Sequence, residues 1–109
     1  MKRKDKHTKE YAQMIHALRR LKERYDMDLC EGEYMSLRNY IRKGKSLYPD
    51  GTEAIFVGRQ SLRITLWCLI FRNRRLWAVY DKIHKTIVTF LPEEWASRNG
   101  FHDVDWKEQ

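Results

Sequence analysis

The side chains best suited to chemistry stand in and beside one predicted turn, residues 82–85, where His84 lies between two lysines. An imidazole transfers protons near neutral pH, lysine neutralises phosphate charge, and a hydroxyl can orient a phosphate. This combination favours phosphate chemistry. The alternative is a plain hairpin turn whose histidine and lysines are only solvated. The candidate catalytic residues are His84, Lys85, Thr89 and Tyr80.

Positive charge is concentrated in two parts of the chain. The formal net charge is +7, yet residues 1–24 alone carry +6 and residues 59–89 another +6. If the two segments meet in space they form a surface suited to phosphates, with Trp67 as a platform for base stacking. Otherwise each is a solvated face without a partner. The candidate nucleic-acid-binding residues are Arg19, Arg20, Arg59, Arg63, Trp67, Arg74, Arg75 and Lys82.

Several other kinds of site and location are disfavoured. The longest apolar run, Leu66 to Phe71, is too short to cross a bilayer. The charged N-terminus lacks the apolar segment of a secretory signal, so we expect a cytoplasmic protein that binds no membrane. Cys30 and Cys68 match no metal or redox spacing and are predicted to be buried thiols. We therefore expect no metal and no cofactor.

Two helices are predicted in the first half of the chain. Thr8 can cap the first, and apolar residues then recur at spacings of three and four up to Tyr25. The second is predicted over about 31–43, starting at Asp28 or Cys30 and ending at Gly44, where a C-terminal cap glycine is expected. Each helix has one apolar stripe, so both should pack on the same core.

The second half has the period of β-strands. Strands are predicted over 54–57, 62–71, 76–81 and 86–91, with turns at 72–75 and 82–85. Short turns between consecutive strands indicate an antiparallel meander. The predicted fold class is α+β, with two N-terminal helices packed on a three- to four-stranded antiparallel sheet and an aromatic C-terminal tail.

A chain of 109 residues is predicted to form a single domain. Its parts are a flexible basic arm (1–7), a helical hairpin (8–44), the sheet (54–91) and a docked tail (92–109). Proline at 92 ends the last strand and can open a short helix. Trp95, Phe101 and Trp106 are too many aromatic residues for a solvated tail, so we expect them to dock, with their acidic neighbours across part of the basic surface.

The order of these elements resembles the RelE/ParE-type toxin fold, one of a wider group of small ribonuclease folds. The resemblance is carried by "RLKERYDMDL", "EYMSLRNYIRKGK" and "GRQSLRITLWCLIFRNRRLWAVYDKIHKTIVTFLP", and covers about residues 18–92. The segment "VYDKIHKTIVTFLP" is also similar to the ends of small phage and prophage proteins. The resemblance implies RNA or the ribosome as partner and, in catalytic members, metal-independent RNA cleavage with basic residues and a Tyr or His.

Two functions therefore follow as expectations. The first is RNA binding by a RelE-like protein, with ribonuclease toxin activity as its catalytic form. An antitoxin is the protein partner expected in that case. The alternative is a non-catalytic interaction protein of phage type that binds and inhibits a host or defence protein. Aromatic residues expected at the surface, Trp77, Trp95 and Trp106, would suit such an interface.

Overall fold

The computed structural model describes residues 8–98 and consists of two long helices, four strands and a short third helix. The basic arm and the predicted docking of Phe101 and Trp106 lie outside the described residues. The elements in chain order are α1 (Lys9–Tyr25), α2 (Glu31–Lys43), β1 (Glu53–Arg59), β2 (Ile64–Phe71), β3 (Arg74–Asp81), β4 (Thr86–Leu91) and α3 (Glu93–Arg98).

α1 begins at the predicted cap Thr8, and α2 begins at Cys30, one of its two predicted starts, and ends at the predicted Gly44. The Thr8 hydroxyl accepts a hydrogen bond from the Tyr11 N–H at 3.1 Å, which satisfies one free donor of the first turn of α1. At the start of α2, the Cys30 N–H donates to the Glu33 carboxylate at 3.0 Å. Gly44 ends α2 with a φ of +78°, a left-handed conformation that glycine adopts without strain. The predicted range 31–43 is confirmed.

The four strands form one antiparallel sheet in the order β1-β2-β3-β4, which confirms the predicted α+β fold class. The predicted strand boundaries differ at three strands. β1 spans Glu53–Arg59 and not 54–57, and β2 and β3 start at other residues than predicted. The turn between β2 and β3 contains only Arg72 and Asn73, both at positive φ (55° and 64°), as a tight two-residue hairpin turn requires. Arg74 and Arg75 therefore belong to β3. Strand β2 begins at Ile64 rather than at residue 62, because Ser61 closes a turn by accepting the N–H groups of Arg63 and Ile64.

The sheet is covered on both faces by different helices. Leu69, Leu76 and Phe90 point towards α1 and α2 and are fully buried in the main core. The alternate residues Cys68 and Trp77 point to the other face and pack with Ala96 and Trp95 of α3. The prediction that Trp77 lies at the surface is wrong, since α3 reduces its exposed fraction to 3%. Cys68 is buried as predicted, but Cys30 is exposed.

The two long helices are fastened mainly to β4. The Tyr34 hydroxyl donates to the Ile87 carbonyl at 2.8 Å and accepts the Ile87 N–H at 3.0 Å. The Tyr25 hydroxyl donates to the Leu91 carbonyl at 2.6 Å, and Arg24 donates to the Phe90 carbonyl at 2.8 Å. Burial raises the pKa of Tyr34 to about 12, so its hydroxyl stays protonated. These bonds close the outer edge of the sheet at β4.

This attachment leaves part of the sheet uncovered on the helix side. Helix α1 packs against β4, whereas Phe56 of β1 and Trp67 of β2, on the same face of the sheet, keep part of their surface open. The uncovered part of β1 and β2 is the surface on which a ligand can lie. None of the helices found between residues 8 and 98 could span a lipid bilayer.

Candidate nucleic-acid interface

A groove lies on the uncovered part of the sheet, beside the C-terminal end of α2. Its volume is about 460 Å³, within the range of pockets that hold small ligands. Four of its lining residues are cationic, three are aromatic, and none of the described ones is acidic. We call it the cationic groove; it is lined by Ile41, Arg42, Phe56, Arg59, Thr65, Trp67, Tyr80, Lys82 and Lys85.

The aromatic part of the groove is built by a cross-strand pair. Phe56 on β1 lies opposite Trp67 on β2, with ring centroids 5.5 Å apart and ring planes at 75°. Trp67 is fixed further by its indole N–H, which donates to the Thr65 hydroxyl at 3.0 Å. The Phe56 side chain is 52% exposed although it is a large apolar residue. An exposed, oriented aromatic pair is the kind of surface on which nucleobases stack.

Within residues 8–98, the cations of the groove have no carboxylate partner. Arg42, Arg59, Lys82 and Lys85 are all exposed, and none of them pairs with an acidic side chain within the described part of the chain. By contrast, Arg20 outside the groove is 2.8 Å from Glu23. Cations that converge without internal partners attract an anionic ligand and do not have to break an ion pair to bind it.

Tyr80 is a hydroxyl-bearing residue of the groove lining. The residue is buried, with 5% of its surface exposed, and it lines the groove. Burial raises the pKa of Tyr80, against the opposing charges of Arg42 and Arg38, so the hydroxyl stays protonated at neutral pH. Within residues 8–98 it makes no hydrogen bond to another protein group. The hydroxyl is therefore an available donor for a ligand.

His84 belongs to a different cluster, centred on the buried carboxylate of Asp81. Its Nδ1 lies 2.9 Å from Asp81 Oδ2, and because a carboxylate only accepts, Nδ1 carries the proton. Arg63 donates to the same oxygen at 2.6 Å, while the backbone N–H groups of Ile83 and His84 donate to Oδ1. Burial opposes ionisation of Asp81, but these hydrogen bonds outweigh it and hold the pKa of that carboxyl well below its ordinary value.

This Asp81 cluster fixes the turn that carries two groove lysines. It joins Arg63, before β2, to the turn between β3 and β4, and the Lys82 N–H also donates to the Arg63 carbonyl at 2.8 Å. The histidine and the arginine are thus held by the protein itself and are not among the groove-lining residues. This geometry indicates that His84 and Arg63 help to position Lys82 and Lys85.

The groove brings together five of the twelve predicted site residues, and seven lie elsewhere. Thr89 pairs with Val79 on the sheet face opposite Trp67, so a polar surface shared by Thr89 and Trp67 does not form. Arg75 is exposed, and Arg74 donates to the Tyr25 carbonyl and lies 3.5 Å from Glu93. The five that meet are Arg59, Trp67, Tyr80, Lys82 and Lys85, and the seven that do not are Arg19, Arg20, Arg63, Arg74, Arg75, His84 and Thr89.

We expected the basic residues of the first helix to meet those of the strands, but no residue of α1 lines the groove. Its helical cation, Arg42, comes from α2 and not from α1. Sequence reasoning missed four of the groove residues, which are Ile41, Arg42, Phe56 and Thr65. The signal for Phe56 was a large apolar side chain in a short strand, two residues before Gly58, which is typical of an irregular edge strand. Arg42 gave only the signal of a cation near a helix C-terminus.

The docked part of the tail does not cover the groove. α3 lies on the opposite face of the sheet, where Trp95 and Trp77 have ring centroids 6.4 Å apart. Across residues 8–98, no group of three His, Cys, Asp or Glu side chains is arranged to hold a metal ion. Comparison of the chain with protein-family models, with curated proteins and with solved structures finds no match.

Proposed function

We propose that this protein binds single-stranded RNA in the cationic groove. The observation that carries the proposal is the convergence around a partly exposed aromatic pair of four cations that have no acidic partner among the described residues. Cations that follow a backbone and rings that stack bases are the two elements of sequence-tolerant single-strand binding. β1 and β2 are accessible on the sheet face that carries the two long helices. This open surface is what a single strand of RNA needs.

The test is a salt series with a fluorescent single-stranded RNA oligonucleotide. Four cations that each neutralise one phosphate give a slope of about −3 in a plot of log K against log salt. Affinity should then fall about 50-fold between 50 and 200 mM salt, measured by fluorescence anisotropy. Affinity that changes less than threefold over this range would contradict the proposal and favour the alternative, a protein partner bound through an apolar interface. A duplex of the same sequence is the control and should bind more weakly, because its bases cannot stack on Trp67.

The RelE-type fold is part of the same proposal. Two helices followed by a four-stranded antiparallel meander support it, since that order of elements is the basis of the resemblance. Shared fold does not imply shared chemistry, so the proposal of RNA binding depends on the groove and not on the resemblance.

Cleavage of the bound RNA is a separate proposal that the resemblance implies. His84 is the group it would use, because Nδ1 is held 2.9 Å from Asp81 and Nε2 is left for proton transfer. Gel analysis of RNA incubated with the protein in EDTA tests it. Products formed by the wild-type chain and not by His84→Gln would support cleavage. Intact RNA in both samples would leave binding as the whole activity.

A further inference from the structure

The register of the strands divides the cationic groove into an aromatic end and a polar end. At the aromatic end, Phe56 lies opposite Trp67. Two residues along β2, Thr65 lies opposite both Arg59 and Tyr80. Two residues of a strand span about 7 Å, and the lysines of the turn follow immediately after β3. The aromatic rings and the phosphate-binding groups are thus separated by two residues of β2, or about 7 Å.

The polar end has the features of a built anion site. Tyr80 is 5% exposed and lines the groove, and within the described residues its hydroxyl has no protein partner and is not fully buried. Arg42 and Arg59 line the same groove, so an anion beside the hydroxyl meets positive charge from α2 and from β1. A hydroxyl donor surrounded by cations recognises a phosphate oxygen.

We propose that the groove holds one nucleotide of its ligand in a fixed orientation, with the base against Trp67 and the phosphate on Tyr80 and Arg42. The proposal rests on the proposed function and adds the ligand unit and its polarity. The distance of about 7 Å between the two ends of the groove matches the ribose that separates the base of a nucleotide from its phosphate. A free nucleoside monophosphate should therefore bind as a minimal ligand, with both ends contributing.

The experiment uses adenosine 5′-monophosphate, adenosine and inorganic phosphate as separate probes in calorimetric titrations. The monophosphate should bind at least tenfold more tightly than either half alone. Tyr80→Phe removes only the hydroxyl, and it should weaken binding of the monophosphate about tenfold, as expected for a hydrogen bond to a charged group, while adenosine binding is unchanged. Phe56→Ala should weaken adenosine and the monophosphate and leave inorganic phosphate unchanged.

Folding of each variant is checked by thermal unfolding, and Arg42→Gln, at an exposed position, is the second variant for the phosphate end. Equal losses of adenosine and monophosphate binding in both Tyr80→Phe and Arg42→Gln would overturn the orientation. If the monophosphate binds no better than phosphate while RNA still binds with the expected salt slope, the nucleotide subsite is wrong and the proposed function stands. If RNA itself shows no salt-dependent binding, the proposed function fails first.

Discussion

Reversing two charges of the cationic groove should weaken RNA binding about 100-fold at 100 mM salt. The variant is Arg59→Glu with Lys82→Glu, one exposed cation from β1 and one from the turn after β3. Each loses a charge-assisted hydrogen bond to phosphate, worth about 1.5 kcal/mol or more, and two such losses correspond to about 100-fold in affinity. The measurement is fluorescence anisotropy with a single-stranded RNA. The slope against log salt should also become shallower by about 1.4.

The matched control for this variant changes the same charge at other sites. Arg19→Glu with Arg75→Glu also replaces two exposed basic residues by glutamate, but neither residue lines the groove. Both double variants lower the formal net charge from +7 by four units. The control should lose less than fivefold in affinity, through the general field of the protein alone. Equal losses in the two double variants would mean that RNA binds to the charged surface at large and that the groove is not its site.

Helix boundaries were predictable from the sequence because their signals are local. The cap of α1 depends on Thr8 and the N–H three residues later, and the end of α2 depends on the left-handed conformation of Gly44. Neither contact needs knowledge of the rest of the chain. The β2–β3 turn was predicted too long for the opposite reason. Four polar residues indicate a turn, but the twist of the paired strands selects the two-residue turn at Arg72 and Asn73.

The groove could be predicted only in part, since its outline depends on where the helices leave the sheet open. Trp67 and Tyr80 were recognised from their strand positions, but Arg42 joins them only because α2 ends beside β1 and β2. The burial of Trp77 was missed because it depends on the short helix α3. The alternation of side chains shows that Trp77 points away from the long helices but not whether another element covers that face. Local sequence patterns give the elements, and the tertiary contacts of α1 and α2 with β4 give the site.

Replacing Asp81 by asparagine should cause a large loss of stability for a single polar substitution. The carboxylate is 1% exposed and accepts hydrogen bonds from Arg63, from the imidazole of His84 and from two backbone N–H groups. Asparagine keeps one acceptor oxygen for the backbone but turns an amide donor towards Arg63 and His84. Breaking a buried charge pair costs 3–5 kcal/mol; because Arg63 is half-exposed, we expect about 2–3 kcal/mol and a Tm about 10 °C lower.

Two comparisons make this prediction specific. One is the pH dependence of the stability loss, and the other is a control substitution of an exposed aspartate. The folded-state pKa of Asp81 lies below its ordinary value of about 3.9, so its contribution to stability is complete above about pH 5 and is lost as the pH falls through the folded pKa. Urea unfolding at pH 7 should separate wild type from Asp81→Asn, and the difference should narrow below pH 4. The control is Asp50→Asn, an exposed carboxylate that also accepts a backbone N–H and a tyrosine hydroxyl; it should cost less than about 1 kcal/mol. Equal losses in the two variants, or a gap that persists unchanged to pH 2, would show that Asp81 acts through shape and not through its charge.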